Sequence, residues 1–289
     1  MVLQILFNGL VLGSIYGLVS FGYAIIYNTT RIFHVAYAAI YAAAPYFVLV
    51  FKDDMGIPLF GAVLLSIPAT MALSTAIEFI VYRPLAKIGS PPSMIMISSI
   101  GVMVVIINLI SIAFGSEARS LTLDISRTVQ AGPLVISHNQ IIQLGLCTTL
   151  LAISWVILRR SKFGLLIRGF RDNETLFSVL GRDAYRLRTL LFPLSAFYAA
   201  LGSGLVSLDI GFTPFIGMPM LLNAVVALII GGVGRFESPI LGGIILGILQ
   251  SLMALLFSSR WQDAITFFLL IVFLLFRPQG ILGEQIRRV

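Results

Sequence analysis

Nine apolar segments, near residues 3–27, 32–51, 57–81, 94–114, 138–158, 189–208, 215–232, 239–257 and 262–276, set the terms for anything this chain can fold into. A helix needs about 20 apolar residues to cross a hydrocarbon core roughly 30 Å thick, and each segment reaches or approaches that length. Charged residues make up 11% of the 289, against roughly 25% in soluble proteins, while 58% are apolar and mean hydropathy is +1.03. The chain reads as a polytopic membrane protein. Pro45, Pro68, Pro193, Pro214 and Pro219 lie in or beside the segments, so some are expected to be broken or half helices. Gly211 to Pro219, GFTPFIGMP, reads as irregular backbone entering the membrane, which is tolerated only where protein buries it or where it lines a cavity.

Loop charge gives the orientation, because basic residues accumulate on the cytoplasmic side. Residues 159–188 hold eight basic side chains (Arg159, Arg160, Lys162, Arg168, Arg171, Arg182, Arg186, Arg188) and three acidic ones (Asp172, Glu174, Asp183), a net +5 of the chain's +7. Arg83 with Lys87, and the tail with Arg277, Arg287 and Arg288, are also basic. The 115–137 loop, with Glu117, Arg119, Asp124 and Arg127, sums to zero and belongs on the opposite side. Nine crossings then put the N-terminus outside and the C-terminus in the cytoplasm. The basic balance is accounted for by topology, so no nucleic-acid partner is called for. MVLQILFNGL has no basic residue before its apolar run and reads as the first membrane helix rather than a cleaved leader. Cys147 is the lone cysteine, which excludes a disulfide framework or a cysteine metal site.

Gly9, Gly13 and Gly17 recur every four residues and stack on one helical face, which can approach a neighbour closely. Internal packing is the expected use, and Ala36, Ala39 and Ala43 read the same way. Asn28 to Ala44 and Pro214 to Gly232 both run from a turn-rich stretch into small and apolar residues. Paired interrupted segments of this kind point to a transporter's pathway. Arg31 and His34, three apart, would share a face if that turn is helical, anchoring the start of the second segment. Glu78 is costly at its depth unless paired, and Arg83 is the expected partner of a structural ion pair. His138, Asp209 and Asp263 fall at segment ends. Gly231-Gly232-Val233-Gly234 is not followed by Gly-Lys-Ser/Thr, so it is no phosphate loop. With two histidines at segment edges there is no catalytic constellation and no metal site, and energy for any transport must come from a gradient or a partner.

Within 159–188, Asp172, Asn173 and Glu174 can cap and charge a helix N-terminus, Leu176, Phe177, Val179 and Leu180 give it an apolar face, and Gly181 can end it. A short amphipathic helix on a basic loop can lie on anionic lipid or fill a groove on another protein, and the groove is favoured.

Three stretches together resemble the permease subunits of ABC importers for branched-chain amino acids and related compounds. They are Arg168-Gly169-Phe170-Arg171-Asp172-Asn173 through Leu180-Gly181, Glu78 with Tyr82-Arg83-Pro84-Leu85, and Asn223-Ala224-Val225-Val226 through Gly231-Gly232-Val233-Gly234 and Ser238-Pro239-Ile240-Leu241-Gly242-Gly243. The ending Arg277-Pro278-Gln279-Gly280-Ile281 is also similar. The resemblance implies an all-α bundle with broken helices, related more distantly to ribose-type sugar permeases, forming one transmembrane permease domain over 1–289 with an ATPase-docking loop at 159–188. It implies an inner-membrane subunit without an ATPase site or cofactor, whose partners are a second related permease, two cytoplasmic ATPases that use ATP and magnesium, and a periplasmic solute-binding protein. Arg168, Arg171, Asp172, Asn173, Leu176, Phe177, Leu180 and Gly181 are the expected ATPase contacts, and Tyr37, His34 and Asn223 the expected pathway residues. Arg31-Ile32-Phe33-His34-Val35-Ala36-Tyr37 departs from the family's Asn-Phe-Ala-His-Gly-like run, and Thr175-Leu176-Phe177 replaces an Glu-Ala-Ala-like one. The substrate therefore stays open between a branched-chain amino acid and another solute such as urea, an organic acid or a sugar. A gradient-driven secondary transporter is the rival reading, and it should carry ionisable residues deeper in the bundle than Glu78.

Overall fold

A computed structural model describes residues 2–121, 128–131, 134–256, 261–277 and 279–283. Among these the regular structure is helical apart from one hairpin. The helices are α1 (Val2–Thr30), α2 (Tyr37–Leu49), α3 (Leu59–Ile77), α4 (Arg83–Lys87), α5 (Pro92–Phe114), α6 (His138–Arg160), α7 (Lys162–Asp172), α8 (Glu174–Val179), α9 (Ala184–Asp209), α10 (Gly217–Gly231), α11 (Ser238–Leu256) and α12 (Gln262–Phe276). The hairpin pairs β1 (Thr128–Ala131) antiparallel with β2 (Leu134–Ser137), Thr128 opposite Ser137. Asp124, Arg127, Pro278, Arg287 and Arg288 lie outside the described residues, as does the Asp263 side chain.

Each of the nine apolar segments coincides with a helix, but six are long and apolar enough to cross a membrane: Val2–Thr30, Leu59–Lys87, Pro92–Phe114, His138–Arg160, Ala184–Asp209 and Ser238–Leu255. The helices of segments two, seven and nine (α2, α10 and α12) have 13, 15 and 15 residues, short of a full crossing by themselves. Two π turns interrupt the regular pattern. Val50–Asp54 extends α2, and Glu78–Tyr82 joins α3 to α4 into one span.

The chain packs as two compact groupings. In the first (Met1–Ala24, Leu123–Val156, Pro219–Val289), the glycine face of α1 lies directly on α11. A Cβ on Gly9 or Gly13 would stand 2.7 Å from the backbone Cα of Ile248 or Ile244, so only glycine permits this approach. The segment 279–283 closes the end of α10: Ile281 N–H donates to Ile230 O at 2.9 Å and Leu282 N–H to Gly231 O at 2.8 Å, satisfying carbonyls the helix leaves open.

In the second grouping (Ile25–Thr122, Ile157–Met218), α2 packs against α3, α5 and α9 and is buried over nearly its whole circumference. Its run of alanines makes that possible, since small side chains let three neighbours approach. The irregular run after α9 is held by protein: Phe212 and Arg119 exchange backbone hydrogen bonds at 2.8 and 2.9 Å. This is how non-helical backbone avoids the cost of unmet polar groups.

One expectation is corrected here. α1 continues to Thr30, Arg31 takes a left-handed φ of 56°, and residues 31–34 are not helical. Arg31 is exposed and His34 fully buried, so the two do not share a face.

Candidate functional site

Residues 161–183 are a chain of short capped helices. Ser161 opens α7 by accepting from Gly164 N–H at 3.0 Å, Asn173 opens α8 by accepting from Leu176 N–H at 2.9 Å, and Asp183 opens α9 by accepting from Arg186 N–H at 3.0 Å. Gly181, at φ 76°, makes the turn between α8 and α9. Of the three candidate caps Asp172, Asn173 and Glu174, Asn173 does the capping, while Asp172 ends α7 in an ion pair with Arg171 at 2.7 Å. Arg168 turns back along the segment to the carbonyls of Gly164 and Arg159.

Gly164, Ile167 and Phe170 of α7 are buried, and Phe177 of α8 joins them, its ring 5.6 Å from that of Phe170 in an edge-on arrangement. Phe177, expected as an ATPase contact, is 7% exposed and clamps α8 to α7 from within. The face left outward is Leu176, Val179 and Leu180, exposed by 55%, 77% and 71%. Leu176, Val179 and Leu180 thus form an exposed apolar ridge on a capped helix among charged neighbours.

A buried polar chain begins one helical turn into α9. Arg188 Nε lies 2.9 Å from Glu78 Oε1, and Nη2 donates to Oε2 at 3.5 Å. Glu78 is 1% exposed, and it heads the π turn in the α3–α4 span. The expected pair with Arg83 is replaced, because Glu78 faces the interior toward α9 while Arg83 lies over the ring of the exposed Phe79, 5.1 Å from its centroid. Tyr82, at the other end of that turn, bonds both Ser99 Oγ and His34 Nδ1 at 2.8 Å, and Ser99 Oγ also accepts Ala36 N–H at 2.8 Å. The His34 ring stands edge-on to Tyr82, Phe192 and Tyr37, which opens α2 at 1% exposure. His34 and Tyr37 are thus brought together.

Asn223 belongs to the first grouping, where it joins a second buried cluster. Gln250 of α11 donates to Asn223 Oδ1 at 3.1 Å and to Thr266 Oγ1 of α12, and it accepts from Tyr16 Oη of α1 at 2.7 Å. Sequence reasoning missed Gln250, Thr266, Tyr16, Arg188 and Ser99 as members of these clusters. Gln250 alone carried a signal, a carboxamide in the middle of an apolar helix. Among the described residues no group of histidine, cysteine and carboxylate side chains could hold a metal ion.

Six helices long and apolar enough to cross a membrane, shorter apolar helices beside them, buried polar clusters and an outward apolar ridge on a charged segment are the features of a multi-pass membrane permease. A family profile described as branched-chain amino acid transport system, permease component, matches residues 5–274. The chain belongs to that family and is a permease subunit of an ABC importer. Among similar proteins are the high-affinity branched-chain amino acid transport system permease protein BraD of Pseudomonas aeruginosa, 28% identical over 98% of this chain and 96% of its own length, and LivH of Escherichia coli, 29% identical with the same coverage. The ribose import permease protein RbsC of Haemophilus influenzae matches 39% of this chain at 26% identity, over 38% of its own length. The solved structure of PsaBC from Streptococcus pneumoniae in complex with Fab shares the fold, with a TM-score of 0.52 at 16% identity over 96% of this chain and 91% of that one.

Proposed function

We propose that this permease carries a branched-chain amino acid or a close analogue into the cell, as one half of the translocation pathway. The identities of its full-length relatives support that solute. Its partners are a second related permease, two cytoplasmic ATPase subunits and a periplasmic binding protein that delivers the solute. ATP and magnesium are used by the ATPases alone, and this chain contributes no hydrolysis site or cofactor. It sits in the bacterial inner membrane as a single permease domain, N-terminus outside and C-terminus in the cytoplasm, with 159–188 on the cytoplasmic face.

The observation that carries this reading is the exposed ridge of Leu176, Val179 and Leu180 on a helix capped by Asn173 and ended at Gly181. An ATPase groove fits that ridge, with Arg168, Arg171, Asp172 and Phe177 holding it in shape. ATPase closure then moves α7 and α8, and the motion passes into α9. Tyr37, His34 and Asn223 are assigned to the pathway. The test is reconstitution: ATP-dependent uptake that requires the binding protein, and copurification with two ATPase chains and a second permease, are expected. Uptake that persists without ATP overturns the proposal.

A further inference from the structure

The buried cluster around Asn223 has a polarity that can be worked out from one end. The carbonyl of Gln262 can only accept, and Thr266 Oγ1 donates its single proton there at 3.0 Å. Thr266 Oγ1 must then accept from Gln250, so the atom Gln250 turns to it is Nε2. That leaves Gln250 Oε1 to accept from Tyr16 Oη at 2.7 Å. The second Nε2 proton goes to Asn223 at 3.1 Å, so the atom Asn223 presents is Oδ1. Thr266 Oγ1 also lies 3.3 Å from Oδ1, the longer of its two possible donations. Side chains of α11 and α12 hold the carboxamide directly and Tyr16 of α1 holds it through Gln250, while its Nδ2 has no partner among the described residues, on a side chain 7% exposed.

We infer that the Asn223 carboxamide is a fixed hydrogen-bond donor for the carboxylate of the transported solute, oriented by Gln250, Thr266 and Tyr16. The network holds this amide in one orientation on a side chain that is 7% exposed, so its N–H pair is a fixed donor that a ligand oxygen arriving there can satisfy. Of the two charged groups of an amino acid the carboxylate accepts, whereas the ammonium only donates. The inference rests on the reading of Asn223 as a pathway residue, and the experiment separates the two.

In a Cys147→Ala background, Asn223→Cys in the assembled transporter is treated with a membrane-impermeant thiol reagent during ATP turnover. Labelling that branched-chain amino acid slows is expected, and absence of labelling overturns both the pathway reading and the inference. The donor is tested by Asn223→Asp, which keeps the Oδ1 acceptor but replaces the donor with a second acceptor. Solute moved per ATP hydrolysed, read on the assembled transporter, should fall about 10- to 100-fold, the worth of a hydrogen bond to a charged group. The positioning role is tested by Thr266→Val, which keeps the side chain's shape and frees Gln250 to turn; a several-fold lower ratio of solute to ATP is expected. Labelling with an unchanged ratio in either variant overturns the donor assignment and leaves the pathway reading standing. Should Asn223→Asp fail to assemble, the Thr266→Val ratio decides alone.

Discussion

Replacing Glu78 by Gln or Arg188 by Met removes half of an ion pair that has almost no contact with solvent. The side chains are 1% and 11% exposed and approach to 2.9 Å. At that separation an effective dielectric of about 20 gives an attraction of about 6 kcal/mol, most of which is consumed in taking both charges out of water. The net value of the pair is therefore small, but the value of its completeness is large. Deleting one partner leaves a charge without compensation and costs about 3–5 kcal/mol, whereas replacing both with neutral groups of similar size is about neutral. For a chain of this size that converts to a fall in melting temperature of about 10 °C for Arg188→Met, with much of it recovered in Glu78→Gln/Arg188→Met. The assay is thermal unfolding of purified transporter, wild type, both single variants and the double, read as a double-mutant cycle. Additive losses would show that the two residues act separately and refute the argument. Arg83→Met serves as the control: it removes a stacking contact on Phe79 and should cost about 1 kcal/mol or less.

Leu180→Asp should leave stability within about 0.5 kcal/mol and abolish binding of the ATPase subunits, whereas Phe177→Asp should destabilise the α7–α8 pair itself; copurification and limited proteolysis together separate the two outcomes. Gly13→Val places a side chain against the backbone of Ile244, which cannot yield as a side chain would, so accumulation of folded protein in the membrane should fall sharply, as read by fluorescence-detected size exclusion. Asn173→Ala should cost about 1 kcal/mol through loss of the cap, with Asn173→Asp retaining most of it; hydrogen exchange of the Leu176 amide is the direct measurement.

What was legible in the sequence is what depends on neighbours along the chain. The apolar segments predict helices because hydrocarbon leaves the backbone no other partners, and all nine places hold one. Asn173 and Gly181 mark the ends of α8 through local backbone geometry. The glycine repeat of α1 announces a close neighbour without saying which, and its partner surface on α11 is more than two hundred residues away. Separation along the chain also hid the partner of Glu78, since Arg188 is 110 residues on while Arg83 stood nearby as the obvious choice. The burial of Phe177 was hidden for a different reason. On a helix turning about 100° per residue, Leu176, Val179 and Leu180 fall within an arc of about 100°, with Phe177 about 60° past its edge. So much of this short helix is apolar that the pattern does not separate the side that packs from the side that is free.

That division of α8 bears on how work could pass from the docking segment into the spans. A helix held by its outer ridge alone would pivot on its connections and dissipate a push from the partner. Phe177 and Phe170 prevent this by joining α8 to α7, and Asp183 starts α9 only two residues beyond Gly181. Arg188 follows within the next turn and a half, about 7 Å along the axis, and there it holds the π turn of a different span through Glu78. Under the proposed docking, a displacement of the ridge reaches the α3–α4 span through one short stretch of rigid helix and one ion pair. The π turn is the place where that span can yield, because its hydrogen-bond register is already broken there. Under the same proposal the buried pair serves as a mechanical joint rather than as a source of stability, in keeping with its small net energy and its sensitivity to losing either half.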